Sequence, residues 1–178
     1  MPNFISEEDI EQAAIKKLVQ ENDYDFLNCM TAEPETLPDG SGRDNKKQVI
    51  LPTVLFNSLC DINPNLPVEV IRKVADELMK TPASAVIMQE NYRNYNKLRN
   101  GILVEYEKNG RKTPDRLKVI DFERPTQNRF TVVSQLWIKG EVHWRRPDLI
   151  IYINGLPGAR IKIVQIKYGK FPINCYNN

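Results

Sequence analysis

At Asn100-Gly101 the hydrophobic period of the chain changes, and that change limits what it can fold into. Before it, apolar residues recur at helical spacing; after it, they alternate with polar ones, as in strands with one buried face. Helices followed by turn-linked strands specify an α+β or mixed α/β domain. Strands are predicted over 102–107, 117–122, 130–138, 149–153 and 161–168. Their separators, such as Asn109-Gly110, Lys139-Gly140 and Asn154-Gly155, are turn chemistry that predicts mostly antiparallel neighbours.

In the helical half, Ser6-Glu-Glu-Asp9 reads as a capping box. Ile10, Ala13, Ala14 and Leu18 then recur as an apolar stripe to about Glu21. Glu11 lies about 100° from Ile10, on the margin of that stripe, where an acid either faces a cleft or is solvated. A short strand fits 24–29, and 33–45, rich in Pro, Gly, Asp and Ser, reads as an exposed loop. The apolar segment 49–59, broken by Pro52, is open to a helix or an irregular path. Pro67 opens a helix carrying Val68, Ile71, Val74, Ala75 and Leu78, closed by Pro82. Another is expected over 84–99, with Tyr92 and Tyr95 as packing groups rather than base-stacking ones and Gly101 as its cap.

A chain of 178 residues is long enough for one domain with a proper core, here 1–100 helical, 101–168 sheet and 169–178 an atypical tail. Its apolar runs are strand-length, and its N-terminus lacks the basic and apolar regions of a signal peptide, so a cytoplasmic location is expected. Three cysteines without CxxC spacing and a single histidine, His143, make a poor zinc inventory. A net charge of +2 does not announce a nucleic-acid partner, although Arg145-Arg146 and Lys108, Arg111 and Lys112 permit one. No phosphate-loop motif occurs, so ATP binding of that kind is not expected of this chain.

The residues with the clearest chemical potential are Asp148, Gln165 and Lys167. Pro147 sets Asp148 at a strand start, and Gln165 and Lys167 share one strand face roughly 6–7 Å apart. Phosphodiester hydrolysis needs hard oxygen ligands for Mg²⁺ and a positioned, activated water. A carboxylate, an amide oxygen and a backbone carbonyl can hold the ion, and the Lys167 ammonium can position hydroxide and offset transition-state charge. Asp121 is expected mid-strand, as a second acid or a paired structural one. Asn128 and Gln135 are expected to bond backbone, and His143 to be solvated or packed rather than a phosphate contact or base.

Several phrases occur in a telling order: Ser6-Glu-Glu-Asp-Ile-Glu-Gln, Asn94-Tyr-Asn-Lys-Leu-Arg-Asn-Gly-Ile, Val119-Ile-Asp-Phe-Glu-Arg-Pro, Asn128-Arg-Phe-Thr-Val-Val-Ser-Gln, and Arg145-Arg-Pro-Asp-Leu-Ile-Ile-Tyr-Ile-Asn-Gly-Leu-Pro. Together they make most of 1–157 resemble the N-terminal nuclease domain of type I restriction enzyme R subunits. The resemblance implies a PD-(D/E)XK, restriction-endonuclease-like core: a mixed, mostly antiparallel sheet of about five strands flanked by helices. It implies Mg²⁺-dependent DNA cleavage. In the parent protein it implies an ATP-driven motor domain and partner methylation and specificity subunits.

The resemblance carries Asp148 over as the metal-binding acid. The family's Glu-x-Lys pair, counted without a gap, falls on Lys162 and Val164; a shift of three restores Gln165-Ile-Lys167, and some nucleases of the wider superfamily use Gln there. The tail is unlike the family. Two readings stand. One is an endonuclease with Asp148, Gln165 and Lys167 catalytic, Asp148, Gln165 and Glu11 on the metal, and Arg145 and Arg146 on DNA. The other is a truncated or altered, inactive nuclease-like module that binds DNA or partner subunits.

Overall fold

A computed structural model describes residues 6–80, 87–108 and 110–161, with backbone alone at 87–91. The capping box forms as expected: the Asp9 amide donates to the Ser6 hydroxyl at 3.0 Å and the Ser6 amide to the Asp9 carboxylate at 3.0 Å, opening α1 (Glu7–Asn22). The chain continues through β1 (Asp25–Asn28), α2 (Pro52–Ile62), α3 (Val68–Met79) and α4 (Ile87–Asn100). Then come β2 (Ile102–Lys108), β3 (Arg111–Leu117), β4 (Phe130–Ser134), β5 (Ile138–Lys139), β6 (Trp144–Arg145), β7 (Leu149–Ile153) and β8 (Leu156–Ile161).

The fold is mixed α/β, as the change of period predicts. Among the described residues the main sheet has the order β1-β4-β7-β8, while β2-β3 and β5-β6 are separate two-stranded ribbons. Two of the three main-sheet pairings are antiparallel; β1 lies parallel to β4, so the helical half lends the sheet a strand. The expected strand 117–122 is not formed. The polar segment Arg111–Leu117 pairs instead with Ile102–Lys108. Only Leu117 in that strand is buried, so alternation could not reveal it. The strand expected over 130–138 stops at Ser134, and most of 161–168 lies outside the described residues.

Residues on opposite faces of the sheet enter different cores. Val133, Ile150 and Tyr152 pack with Cys29 and Leu51, and Val132 and Leu149 pack with Ile15 of α1. A third cluster joins Leu55 and Leu59 of α2, Ile71 and Val74 of α3, and Val104, Leu117 and Val119. Tyr92 and Tyr95, expected as packing groups, are instead exposed on α4. Among the described residues no helix is long and apolar enough to cross a membrane.

The β7–β8 turn is a two-residue hairpin with both central residues left-handed, Asn154 at φ 51° and Gly155 at φ 79°. A Cβ at Gly155 would stand 2.5 Å from the Leu55 nitrogen and 2.8 Å from the Leu51 carbonyl oxygen, the start of α2. Gly155→Ala is therefore expected to destabilise the protein by about 1–3 kcal/mol, read as a lower urea midpoint. An unchanged midpoint would show that the turn relaxes freely.

Candidate functional site

Glu11 reaches the sheet because α1 is turned by about one position from the stripe that begins at Ile10. Ile15, Leu18 and Val19 make the contact, with Ala14, while Ile10 is 40% exposed. Burying those larger side chains outweighs burying Ala13. Glu11, Ile15 and Leu18 then share a face at i, i+4 and i+7.

That face closes a cleft of about 490 Å³. Glu7, Glu8, Glu11 and Gln12 form the α1 wall; Phe26 and Asn28 of β1 and Ser134 of β4 form the sheet wall; Met30, Gln135, Arg146 and Asp148 complete it. Asp148 stands immediately before β7, as its Pro-Asp phrase predicts. Glu11 and Asp148 thus meet from distant parts of the chain. Arg146 is placed at the cleft, whereas Arg145 is exposed within β6, opposite Ile138. Gln165 and Lys167 lie outside the described residues.

Gln135 is the residue that sequence reasoning misplaced. Its side-chain amide donates to the Glu11 carboxylate at 2.8 Å rather than to backbone, and its own amide nitrogen donates to the Asp148 carbonyl at 3.0 Å. It occupies φ 56°, a conformation costly for a side-chain-bearing residue and one that concentrates at functional sites. The only hint in sequence was a polar residue just past an apolar strand.

Burial pushes the Glu11 carboxyl above its ordinary value; the Gln135 hydrogen bond pulls it back, Asp148 and Glu8 add to the rise, and Arg146 offsets it. An acid perturbed by desolvation and a like charge inside a cleft marks a candidate functional group. Hard carboxylate oxygens suit Mg²⁺, and a cation would offset both the burial that chiefly raises Glu11 and the smaller repulsion from Asp148 and Glu8. Among the described residues, no group of three His, Cys, Asp or Glu side chains is gathered closely enough to hold a metal.

Asp121 belongs elsewhere. It lies in an irregular segment, not mid-strand, and is fully buried. Burial alone would raise its carboxyl, but the Arg124 amide and guanidinium and the Lys118 ammonium bring it below its ordinary value. Asn128 accepts from the Asp121 amide at 2.8 Å and is bonded by the Asn154 side chain at 2.9 Å, so this acid braces loops. His143 is exposed at the tip of the β5–β6 ribbon, where its carbonyl accepts from Gly140.

A family model described as type I restriction enzyme R protein N terminus matches residues 4–161. The chain is 30% identical over 158 residues, 86% of its length, to the type I restriction enzyme HindI endonuclease subunit of Haemophilus influenzae. It is 29% identical over 175 residues, 95% of its length, to a protein provisionally named the type I restriction enzyme MjaIXP endonuclease subunit of Methanocaldococcus jannaschii. The aligned parts make up 14% and 16% of those two relatives.

Proposed function

This chain belongs to the family of type I restriction enzyme R protein N termini, and we propose that its cleft hydrolyses DNA phosphodiester bonds with Mg²⁺. The observation that carries this reading is the convergence of Glu11 and Asp148 on one cleft, with Gln135 bonded to both residues. Asp148 and Glu11 would hold the cation, and Gln135 fixes the carboxylate oxygen that Glu11 presents. Bound Mg²⁺ supplies charge neutralisation at the phosphate and a more acidic water. Gln165 and Lys167 keep the roles expected for them, as a further oxygen ligand and as the cation that orients water. The cleft would work as a PD-(D/E)XK nuclease, and in a longer parent protein an ATP-driven motor and the methylation and specificity subunits would complete the proposed enzyme.

The test is incubation of the purified chain with supercoiled plasmid. Relaxation in Mg²⁺ or Mn²⁺ that stops with EDTA is the expected result. A second reading, a truncated or altered module that binds DNA or partner subunits without cutting, draws on the sequence, where Gln165 stands in place of the acid of the family's Glu-x-Lys pair. No relaxation together with retained DNA binding would favour it.

Gln135→Ala is expected to slow relaxation about 10–100-fold, as loss of an outer-shell partner of a ligand does. It also removes the hydrogen bond that lowers the Glu11 pKa. The ascending limb of the pH–rate profile should therefore move to higher pH, because Glu11 must be ionised to bind the cation. A uniform loss of rate with an unmoved limb would make Gln135 a structural residue only.

A further inference from the structure

Among the described residues that line the cleft, Glu7, Glu8, Glu11 and Asp148 face one cation, Arg146, a balance that does not by itself hold a polyanion. DNA affinity comes chiefly from cations that neutralise phosphates, so a strand reaching these acids must be held beside them. The β5–β6 ribbon adjoins the cleft through Arg146 and carries an ordered set of such groups.

Arg146 lies over the Trp137 ring at 4.9 Å, Trp137 meets Trp144 edge-to-face at 6.4 Å, and the Lys139 ammonium lies over Trp144 at 5.3 Å. Each indole attracts its cation through the ring quadrupole and restricts it, so less side-chain entropy is lost when a phosphate binds. Lys139 is exposed, and its amide donates to the Lys46 carbonyl at 2.9 Å, which joins the ribbon to the loop bearing exposed Lys47. There Lys46, Lys47, Lys139 and Trp144 line a second cavity of about 320 Å³, with Glu35 and Asp44 the opposing acids. Beneath it, Arg43 and Lys46 are buried against Asp39, leaving one positive charge in excess. The cations of β2-β3 sit on a ribbon that shares no strand with the cleft.

We infer that Arg146, Lys139 and Lys47 form a backbone-holding rail along which a DNA strand leaves the cleft, with Trp137 and Trp144 as the rigid supports of its cations. The inference rests on the nuclease reading for its ligand, and its test is separable from that reading. The chain has two tryptophans, and both stand in the rail. Tryptophan emission, excited selectively over the seven tyrosines, therefore reports on this surface.

The experiment titrates wild type and the Lys47→Glu/Lys139→Glu variant with a fluorescein-labelled duplex oligonucleotide in EDTA, following anisotropy and tryptophan emission across a salt series. Expected are a change in tryptophan emission that saturates with the anisotropy, an affinity about tenfold or more lower in the variant, and a salt slope smaller by about two. Thermal melts of both proteins should agree to within a few degrees, since both lysines are exposed and the variant loses only the Lys139–Trp144 ring contact, which is weak at an exposed site. DNA binding with unmoved emission and equal affinity in the variant overturns the rail, even if the wild type relaxes plasmid. Absence of DNA binding by the wild type overturns it as well. Emission change and charge-dependent affinity without plasmid relaxation leave the rail standing and overturn the nuclease reading alone.

Discussion

Asp148→Asn is expected to abolish metal-dependent plasmid relaxation, with a loss of about a thousandfold or more, equal to about 4 kcal/mol of transition-state stabilisation. The substitution keeps the size of the side chain and removes the charge that would bind the cation. The backbone tie at this position is indifferent to the change, because the Gln135 amide bonds the Asp148 carbonyl, not its side chain. Circular dichroism and a urea melt check the fold of the variant, and calorimetric titration should show Mg²⁺ or Mn²⁺ affinity falling with the rate. Glu11 supplies a second check. Asp148 contributes to the rise of the Glu11 carboxyl, so its neutralisation should let Glu11 titrate at lower pH. A variant that relaxes plasmid at the wild-type rate would remove Asp148 from the chemistry and with it the nuclease reading of the cleft.

The sequence revealed Asp148 more readily than Glu11 or Gln135, and the reason is local. The position of Asp148 follows from its neighbours, a proline that starts a strand and an apolar run that continues it. Glu11 needs the azimuth of α1 to within one residue, and two overlapping stripes, one through Ile10 and one through Ile15, compete for the buried side. Tertiary packing decides between them by the size of the groups buried. Gln135 was out of reach for another reason: a left-handed residue at a strand end is visible in sequence when it is glycine or asparagine, but not when it is glutamine. The same limit hid β3, whose polar residues pair along an exposed ribbon, and the parallel pairing of β1, which joins segments more than a hundred residues apart. Asn154-Gly155 was legible because a tight hairpin demands those residue types.

The loop 33–45 repeats the lesson on a larger energetic scale. Its composition reads as solvent-exposed, yet Asp39, Ser41 and Arg43 within it are buried, as is Lys46 just beyond. The Asp39 carboxylate takes Arg43 at 2.7 Å and Lys46 at 2.7 Å, and the Ser41 hydroxyl also donates to it. Asp39→Ala is accordingly expected to cost about 3–5 kcal/mol, because two buried cations lose the acid that pairs with both of them. The melting temperature should fall by on the order of 10 °C. The pH dependence has a definite sign. Burial would raise the Asp39 carboxyl, but Lys46, Ser41 and Arg43 hold it well below the usual carboxylate range. A depressed carboxyl contributes stability above its unfolded pKa of about 4 and loses that contribution as pH falls toward the folded value. Urea unfolding from neutral to acid pH should therefore show the gap between wild type and variant narrowing on the acid side. The Arg43 guanidinium also donates to the Trp137 carbonyl at 3.0 Å, so loosening the loop should disturb the rail. Tryptophan emission of the folded variant is expected to shift before global unfolding begins. An equal urea midpoint for the two proteins at neutral pH would mean that Arg43 and Lys46 reach water without Asp39, and that the loop is no more than the surface segment its composition describes.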